Sequence, residues 1–264
     1  MIKVGIIGGS GLENIDGIEY EGEQVLNTPY GEPSSPYKIY RLENCIFYII
    51  SRHGLKHDIP PHCVNYRANI YGFKSLGVTR IVAFSAVGSL NASYGAGSLL
   101  LADNAIDFTN GRENTFYDKN RCVHIDLTYP FCFELREAIK QSAAEENIKL
   151  ADGGVYLCTN GPRFETAAEI KLFASFGADV VGMTMFPEVA LAREAEICYA
   201  SVNIVTNLAA GIETEKKLTM DEVAENGTMA AENVCKIISA MPKFLQKDRY
   251  CLCSEALKGS VADK

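Results

Sequence analysis

The stretch Met1-Ile-Lys-Val-Gly-Ile-Ile-Gly8, running without a break into Gly9-Ser10-Gly11, decides how the rest of the chain is read. Val4–Ile7 is a compact apolar run of the kind that forms a buried strand, and a glycine turn follows at once. Such a turn exposes backbone N–H groups and, here, the Ser10 hydroxyl to an anion. The competing dinucleotide fingerprint, G-x-G-x-x-G, fails, because its third glycine, counted from Gly9 and Gly11, falls at Asn14. Alone, the turn is weak evidence and more simply a plain tight turn, so its meaning depends on what recurs downstream.

Strand signals do recur. Cys45–Ser51 (CIFYIIS) and Arg80–Ser85 (RIVAFS) are β-branched and aromatic runs, each leading into a polar turn. Between them Asn65–Leu76 sets Tyr66, Ile70 and Phe73 at helical spacing, with Gly77 where a helix stops. Phe131–Ile148 reads as an amphipathic helix and Gly154–Cys158 as a strand. Thr166-Ala-Ala-Glu169 has the spacing of a capping box and opens a helix to about Phe176. Ala178–Met183 and Ala200–Val205 read as strands on either side of a Pro187–Ile197 helix, whose first turn suits proline. Thr219-Met-Asp-Glu222 is a second capping box, starting a last helix to about Ala240. Alternating strands and helices predict one α/β domain over residues 1–264. The polar tail after Lys243 is expected to be loosely ordered.

Composition narrows the partners. Of the 264 residues, 47% are apolar and 22% charged, an ordinary soluble balance. A net charge of −8 argues against nucleic acid, which demands a basic face, but leaves a small anion open as ligand. No apolar run approaches the ~20 residues of a membrane span. The N-terminal run is read as a strand, not a signal peptide. Nine cysteines are present, seven of them spaced singly, as at Cys158 and Cys198. They fit buried free thiols in a reducing, cytoplasmic compartment. Cys251-Leu-Cys253 fits a redox pair or a weak metal site, but no histidine is near and a solvated tail is the plainer reading.

Arg52-His53-Gly54 stands at the end of a strand. Arginine offers a planar fork matched to phosphate oxygens and histidine a further donor, although such an arginine also fits a helix end. Ser85-Ala86-Val-Gly-Ser89 and Met183-Thr184 repeat the arrangement of a polar residue just past a buried strand. Open α/β sheets build ligand crevices in this way. Asn160-Gly-Pro-Arg-Phe-Glu-Thr166 and Thr206-Asn207-Leu-Ala-Ala-Gly211 add a carboxylate and an amide suited to the edge of an oxo-purine.

The ordered set Gly5-Ile-Ile-Gly-Gly-Ser-Gly11, Asn65-Tyr-Arg-Ala-Asn-Ile70, Gly161-Pro-Arg-Phe164, Met183-Thr-Met-Phe-Pro-Glu188 and Asn207 resembles the trimeric-type purine nucleoside phosphorylases of the methylthioadenosine phosphorylase branch. The likeness covers nearly the whole chain up to the last helix. It implies an α/β fold around a mixed central sheet flanked by helices, and a homotrimer or a dimer of trimers. It also implies no metal or organic cofactor, with inorganic phosphate as co-substrate. Position by position, Ser10, Arg52, His53, Ser85, Ala86 and Thr184 would hold phosphate; Ser10 stands where many relatives have threonine. Met183 would pack under the ribose and Phe164 against the base. Asn207, followed by Leu208 and Ala209, would face the N7 side of the purine, and Glu165 its N1 side. His57, Met220 and a neighbouring subunit's His124 would approach the 5′ substituent.

The informative departure is at Asn207 and Ala209, where adenine-cleaving members carry aspartate. Adenine's 6-amino group donates and needs an acceptor; hypoxanthine reverses the polarity, its O6 accepting and its N1–H donating. A buried donor facing a donor costs about 1–3 kcal/mol, so Asn207 and Glu165 favour a 6-oxopurine. Met220 suits a methylthio group better than a hydroxyl. Thr28-Pro-Tyr-Gly31, Pro60-Pro-His-Cys-Val64 and Ala209-Ala-Gly211 resemble the methylthioinosine phosphorylases in particular. The expected reaction is phosphorolysis of methylthioinosine through an oxocarbenium-like sugar, with Asn207 supporting the departing purine and His53 touching phosphate. Inosine or guanosine phosphorylase, methylthioadenosine phosphorylase and a non-enzymatic nucleotide-binding protein stay open as alternatives.

Overall fold

The computed structural model describes residues 1–8, 17–119, 121–212 and 219–262. In chain order the strands and helices are β1 (Ile2–Gly8), β2 (Glu19–Gln24), β3 (Tyr37–Leu42), β4 (Cys45–Ser51), α1 (Tyr66–Ser75), β5 (Arg80–Ser89), β6 (Leu99–Leu101) and β7 (Asn104–Asp107). There follow α2 (Phe133–Glu145), β8 (Leu150–Asp152), β9 (Val155–Cys158), α3 (Ala167–Ser175), β10 (Val180–Gly182), α4 (Met185–Glu194), β11 (Cys198–Leu208) and α5 (Met220–Ala240). They form an α/β fold around a mixed sheet, as expected.

The sheet divides at β5. One path runs β2-β3-β4-β1-β5-β10-β9-β7, while β11 pairs with β5 and β6, and β6 with β8. β1, β4, β5 and β11 are parallel neighbours, whereas β10 runs antiparallel to the far end of β5, Val180 opposite Ser89. Because β11 stays paired with β5 from Cys198 to Leu208, the strand expected to end at Ser85 continues to Ser89. Ser85 and Ala86 are therefore strand residues, not part of a turn.

Strand alternation sends β1 side chains to opposite layers. Ile2, Val4 and Ile6 pack with Leu135 and Ile139 of α2 and Val234, Ile237 and Ile238 of α5. Ile7 packs on the other side with Tyr66, Ile70 and Phe73 of α1 and Val189 and Leu191 of α4. Each such side chain, fully buried, contributes about 1.5–3 kcal/mol. Gly5 faces α1: a Cβ there would meet the Phe73 ring at 2.8 Å, so glycine sets how closely α1 approaches the sheet. Lys3 Nζ donates to the Leu76 carbonyl at 2.8 Å, placing a cation at the negative end of α1.

The helix starts follow the sequence. Asn65 Oδ1 accepts from the Ala68 N–H at 3.1 Å. Thr166 and Glu169 form the reciprocal capping box, at 3.2 and 2.7 Å, a feature worth about 1 kcal/mol. The regular turns of α4 begin at Pro187, since Phe186 is extended (φ −102°, ψ 135°). α5 begins at Met220 as expected, although the Glu222 side chain of its proposed box lies outside the described residues.

The tail after Lys243 is packed, not loose. Leu245, Cys251 and Cys253 are buried, and Val123 bridges Val261. Arg80 Nη2 donates to the Gln246 carbonyl at 2.6 Å and Arg249 Nη1 to the Glu196 carbonyl at 2.8 Å. Two arginines thus bind the segment through main-chain oxygens, which a polar composition does not reveal.

Candidate active site

A cleft of about 560 Å³ opens at the ends of β4, β5, β10 and β11, closed on one side by the first turns of α5. It brings together Arg52, His53, His57, Ser85, Ala86, Phe164, Glu165, Met183, Thr184, Asn207, Ala209 and Met220. Among the described candidates, Leu208 and His124 do not line it. Ser10 belongs to a segment outside the described residues.

At the anion end, Arg52 follows β4 directly. Its Nε and Nη2 donate to Glu188 Oε1 and Oε2 at 2.5 and 3.0 Å, and Nη1 to the Phe84 carbonyl at 2.9 Å. Tyr199 also donates its hydroxyl to Glu188 Oε2 at 2.8 Å. Three of the five guanidinium N–H groups are thereby used, leaving two. The fork is fixed in one orientation and its charge matched by the Glu188 carboxylate, a partner the sequence reading did not name. Removing one partner of so buried a pair typically costs 3–5 kcal/mol. Ser85 Oγ and Thr184 Oγ1 lie 3.1 Å apart, with Ala86 beside them open to the cleft. Thr184 directly precedes Met185 and its side chain makes no cap bond, so the two hydroxyls are free to converge on an anion.

His53 is constrained differently from expectation. Its Nδ1 lies 2.9 Å from the Ile59 carbonyl, and burial, then the neighbouring Arg52 cation, push the imidazole down to about 4. The ring is therefore neutral near pH 7, and a carbonyl partner requires the proton on Nδ1. That leaves Nε2 as an acceptor, able to take a hydrogen bond from a protonated phosphate oxygen or a sugar hydroxyl but not to give one.

At the base end, the register of β11 against β5 shifts between Val205 and Asn207. This irregularity at Thr206 turns Asn207 into the cleft, a usual service of a bulge near a site. Asn207 Nδ2 donates to the Leu208 carbonyl at 2.9 Å and Oδ1 accepts from the Thr206 hydroxyl at 2.9 Å. The carbonyl can only accept, so the amide orientation is settled, with one N–H and one lone pair to spare. Glu165 Oε1 accepts from Thr159 Oγ1 at 2.7 Å, and burial pushes its carboxyl above the ordinary glutamate value. Phe164 lines the same end.

Met183 and Met220 face the remaining space, near the His53 and His57 rings, whose centroids are 4.8 Å apart. Arg112, which the sequence reading missed, binds the surrounding loops from behind. It donates to the carbonyls of Phe186, Met183 (2.8 Å), Asn160 (3.1 Å) and Thr159 (3.3 Å). Gly161 sits at φ +59°, and a Cβ there would run into the Met183 sulfur, so the Gly161-Pro-Arg-Phe164 turn needs its glycine. Glu188 and Thr159 were also missed. Glu188 stood within a recognisable motif, but nothing in the sequence joined it to Arg52.

The chain has relatives among known proteins. Residues 3–242 match the model of the phosphorylase superfamily. The chain belongs to that family. It is 48% identical, over 98% of its length and 97% of the relative's, to a protein of Thermodesulfovibrio yellowstonii named "Probable S-methyl-5'-thioinosine phosphorylase". It is 45% identical, over 99% and 100%, to the 6-oxopurine nucleoside phosphorylase of Pyrococcus furiosus. A crystal structure of methylthioadenosine phosphorylase from an antarctic soil metagenomic library superposes with a TM-score of 0.93 at 32% identity, covering 99% of this chain and 92% of that one. The phosphorylase fold is thereby shared throughout, while the named nucleosides differ.

Proposed function

We propose that this phosphorylase cleaves 6-oxopurine nucleosides, S-methyl-5′-thioinosine first among them. With inorganic phosphate it would give hypoxanthine and 5-methylthioribose 1-phosphate, a purine-salvage reaction. The supporting observation is the amide–carboxylate pair at the base end. Asn207 keeps an N–H for O6 and an oxygen for a protonated N7, and an ionised Glu165 accepts from N1–H. The names of the Thermodesulfovibrio and Pyrococcus relatives point the same way. The remaining N–H groups of Arg52, the Ser85 and Thr184 hydroxyls and the Ala86 backbone would hold phosphate, joined by Ser10. Stretching of the glycosidic bond makes the sugar cationic beside that phosphate, and Asn207 stabilises the charge gathering on the purine. Positioning and fixed dipoles supply the rate enhancement, without a covalent enzyme intermediate. The chemistry calls for no metal or organic cofactor.

The 5′ end rests on Met183 and Met220, which offer polarizable surface to a methylthio group. Met220 is 59% exposed in the single chain, which favours inosine or guanosine as the second reading unless a neighbouring copy closes that side. A homotrimer in which a neighbour's His124 completes the 5′ subsite fits this need; a dimer of trimers would preserve it. Nine free cysteines accord with a cytoplasmic setting, and no described helix is long and apolar enough to cross a membrane.

A panel of methylthioinosine, inosine, guanosine and methylthioadenosine, assayed with and without phosphate, tests the reading. Free base should appear only with phosphate, and kcat/KM should be highest for methylthioinosine. Methylthioadenosine turned over as well as methylthioinosine would overturn the base assignment, and phosphate-independent release would overturn the reaction.

A further inference from the structure

At the end of β11 remote from Asn207, four cysteines meet. Cys132 precedes α2, Cys198 opens β11, and Cys251 and Cys253 come from the packed tail. Their sulfurs all lie within 4.8 Å of one another and all four residues are buried; Cys198 and Cys251 are 3.4 Å apart. Leu252, between the last two, is 78% exposed while both its neighbours turn inward. The tail is therefore folded so as to aim two sulfurs at the same point. Cys45 and Cys158 show the other use of a buried cysteine: they lie in the core outside this cluster.

We propose that Cys132, Cys198, Cys251 and Cys253 form a structural tetrathiolate site for a divalent thiophilic cation, zinc above all. Tetrahedral zinc–sulfur bonds of about 2.3 Å set sulfurs roughly 3.8 Å apart, between the 3.4 Å of Cys198 and Cys251 and the 4.8 Å within which all four lie. A disulfide needs about 2.05 Å and only two sulfurs at a time. Four sulfurs from three segments converging on one point is the arrangement that a single tetrahedral ion requires. The backbone is already fixed: Cys132 N–H donates to the Tyr199 carbonyl at 2.9 Å and Cys198 N–H to the Thr79 carbonyl at 3.1 Å. Binding would convert four thiols and one dication into a dianionic complex with release of four protons, and no electron moves. Part of that charge is met by Arg249, whose Nη1 lies 4.0 Å from Cys198 Sγ. Glu134 is the opposing neighbour, accepting the Tyr250 N–H at 2.8 Å. The soft, all-sulfur donor set selects against magnesium and calcium. The ion would clip the tail to β11 and α2, where the sequence alone suggested a solvated C-x-C.

The test is cobalt(II) titration of the full-length protein, reduced and stripped of metal under anaerobic conditions. One equivalent per chain should bind, giving the visible ligand-field bands and sulfur-to-metal charge transfer of a tetrahedral tetrathiolate. Zinc should displace the cobalt and raise the thermal midpoint by about 5–10 °C. Cys253→Ser should weaken cobalt binding at least ~100-fold, whereas Cys63→Ser, an exposed cysteine outside the cluster, should leave it unchanged. If Cys253→Ser does not fold, the wild-type spectrum and one-equivalent zinc release by a thiol-blocking reagent decide. Sub-stoichiometric binding, an octahedral cobalt spectrum, or thiol counting that finds the four paired as two disulfides in freshly isolated, unreduced protein overturns the site.

Discussion

At the scale of single residues, the proposed base choice rests on two polar side chains whose partners leave them little freedom. Asn207 is held by Thr206 and the Leu208 carbonyl, so Asn207→Asp replaces a donor with a carboxylate at a fixed spot. Turnover of 6-oxopurine nucleosides should fall about 10–100-fold in kcat/KM, on the order of 1–3 kcal/mol, while methylthioadenosine gains. Unchanged preference between the two bases would remove Asn207 from specificity. Glu165 gives a pH test. Burial raises its carboxyl above the usual 4.5, and the ionised form, a charged acceptor at both oxygens, holds N1–H more strongly than the protonated form. Therefore kcat/KM for 6-oxopurines should decline as pH falls through a value above 4.5. Glu165→Gln, which keeps a carbonyl acceptor, should lose that limb relative to wild type; an identical acid limb in both would assign it elsewhere. Asn207 and Glu165 stood out in the sequence because an amide and a carboxylate match an oxo-purine edge and because Asn207 departs from the aspartate of adenine-cleaving relatives. The neutral tautomer of His53 was not, since it depends on the Ile59 carbonyl, which no residue type encodes.

At the scale of elements, the site is an outcome of strand pairing. The β4 boundaries were readable from a run of β-branched and aromatic residues, and the Thr166 helix from its cap. β2 escaped because it is a polar, largely exposed edge strand (Glu19-Tyr-Glu-Gly-Glu-Gln24). The three-residue β6 and β8 escaped because they are too short to carry a period. The β11 bulge, which aims Asn207, arises from register with β5 and has no local signature. Two elements can be tested directly. Gly161 needs its positive φ and the space beside Met183, so Gly161→Ala should raise KM for nucleoside several-fold more than it lowers kcat. It should also cost about 1–2 kcal/mol of stability in denaturant unfolding; wild-type KM and stability together would contradict the packing. Met220 opens α5 at the cleft mouth. Met220→Ser should cut methylthioinosine kcat/KM about 10-fold and leave inosine within about twofold, the size of effect expected from removing apolar contact. Equal losses on both would mean that α5 supports the cleft without reading the 5′ group.

At the scale of the whole molecule, the single chain exposes a group of large apolar side chains. Phe108, Leu172 and Phe176 are exposed, with Phe108 5.2 Å from the Phe173 ring and 5.9 Å from that of Phe176. Phe108, just past β7, and Phe176, at the end of α3, form one aromatic surface, with Leu172 also exposed on α3. Exposed apolar patches of this kind mark association surfaces, and α3, which carries part of this one, follows Phe164 and Glu165 directly in the chain. Association through it would make the cleft sensitive to assembly. His124 is exposed and outside the cleft, its ring against Cys122 and its backbone N–H on the Ser260 carbonyl at 2.8 Å, so a role for it at the 5′ end requires a second copy. Sedimentation equilibrium should find three chains, or a multiple of three. Phe176→Asp should shift the protein to smaller species with loss of nucleoside affinity, since one charge in a dry contact costs more than the association gains. Mixing Phe176→Asp with an excess of His124→Ala chains should not restore activity if the neighbour's imidazole is needed. A wild-type monomer with full activity would show instead that each cleft is complete within its own chain.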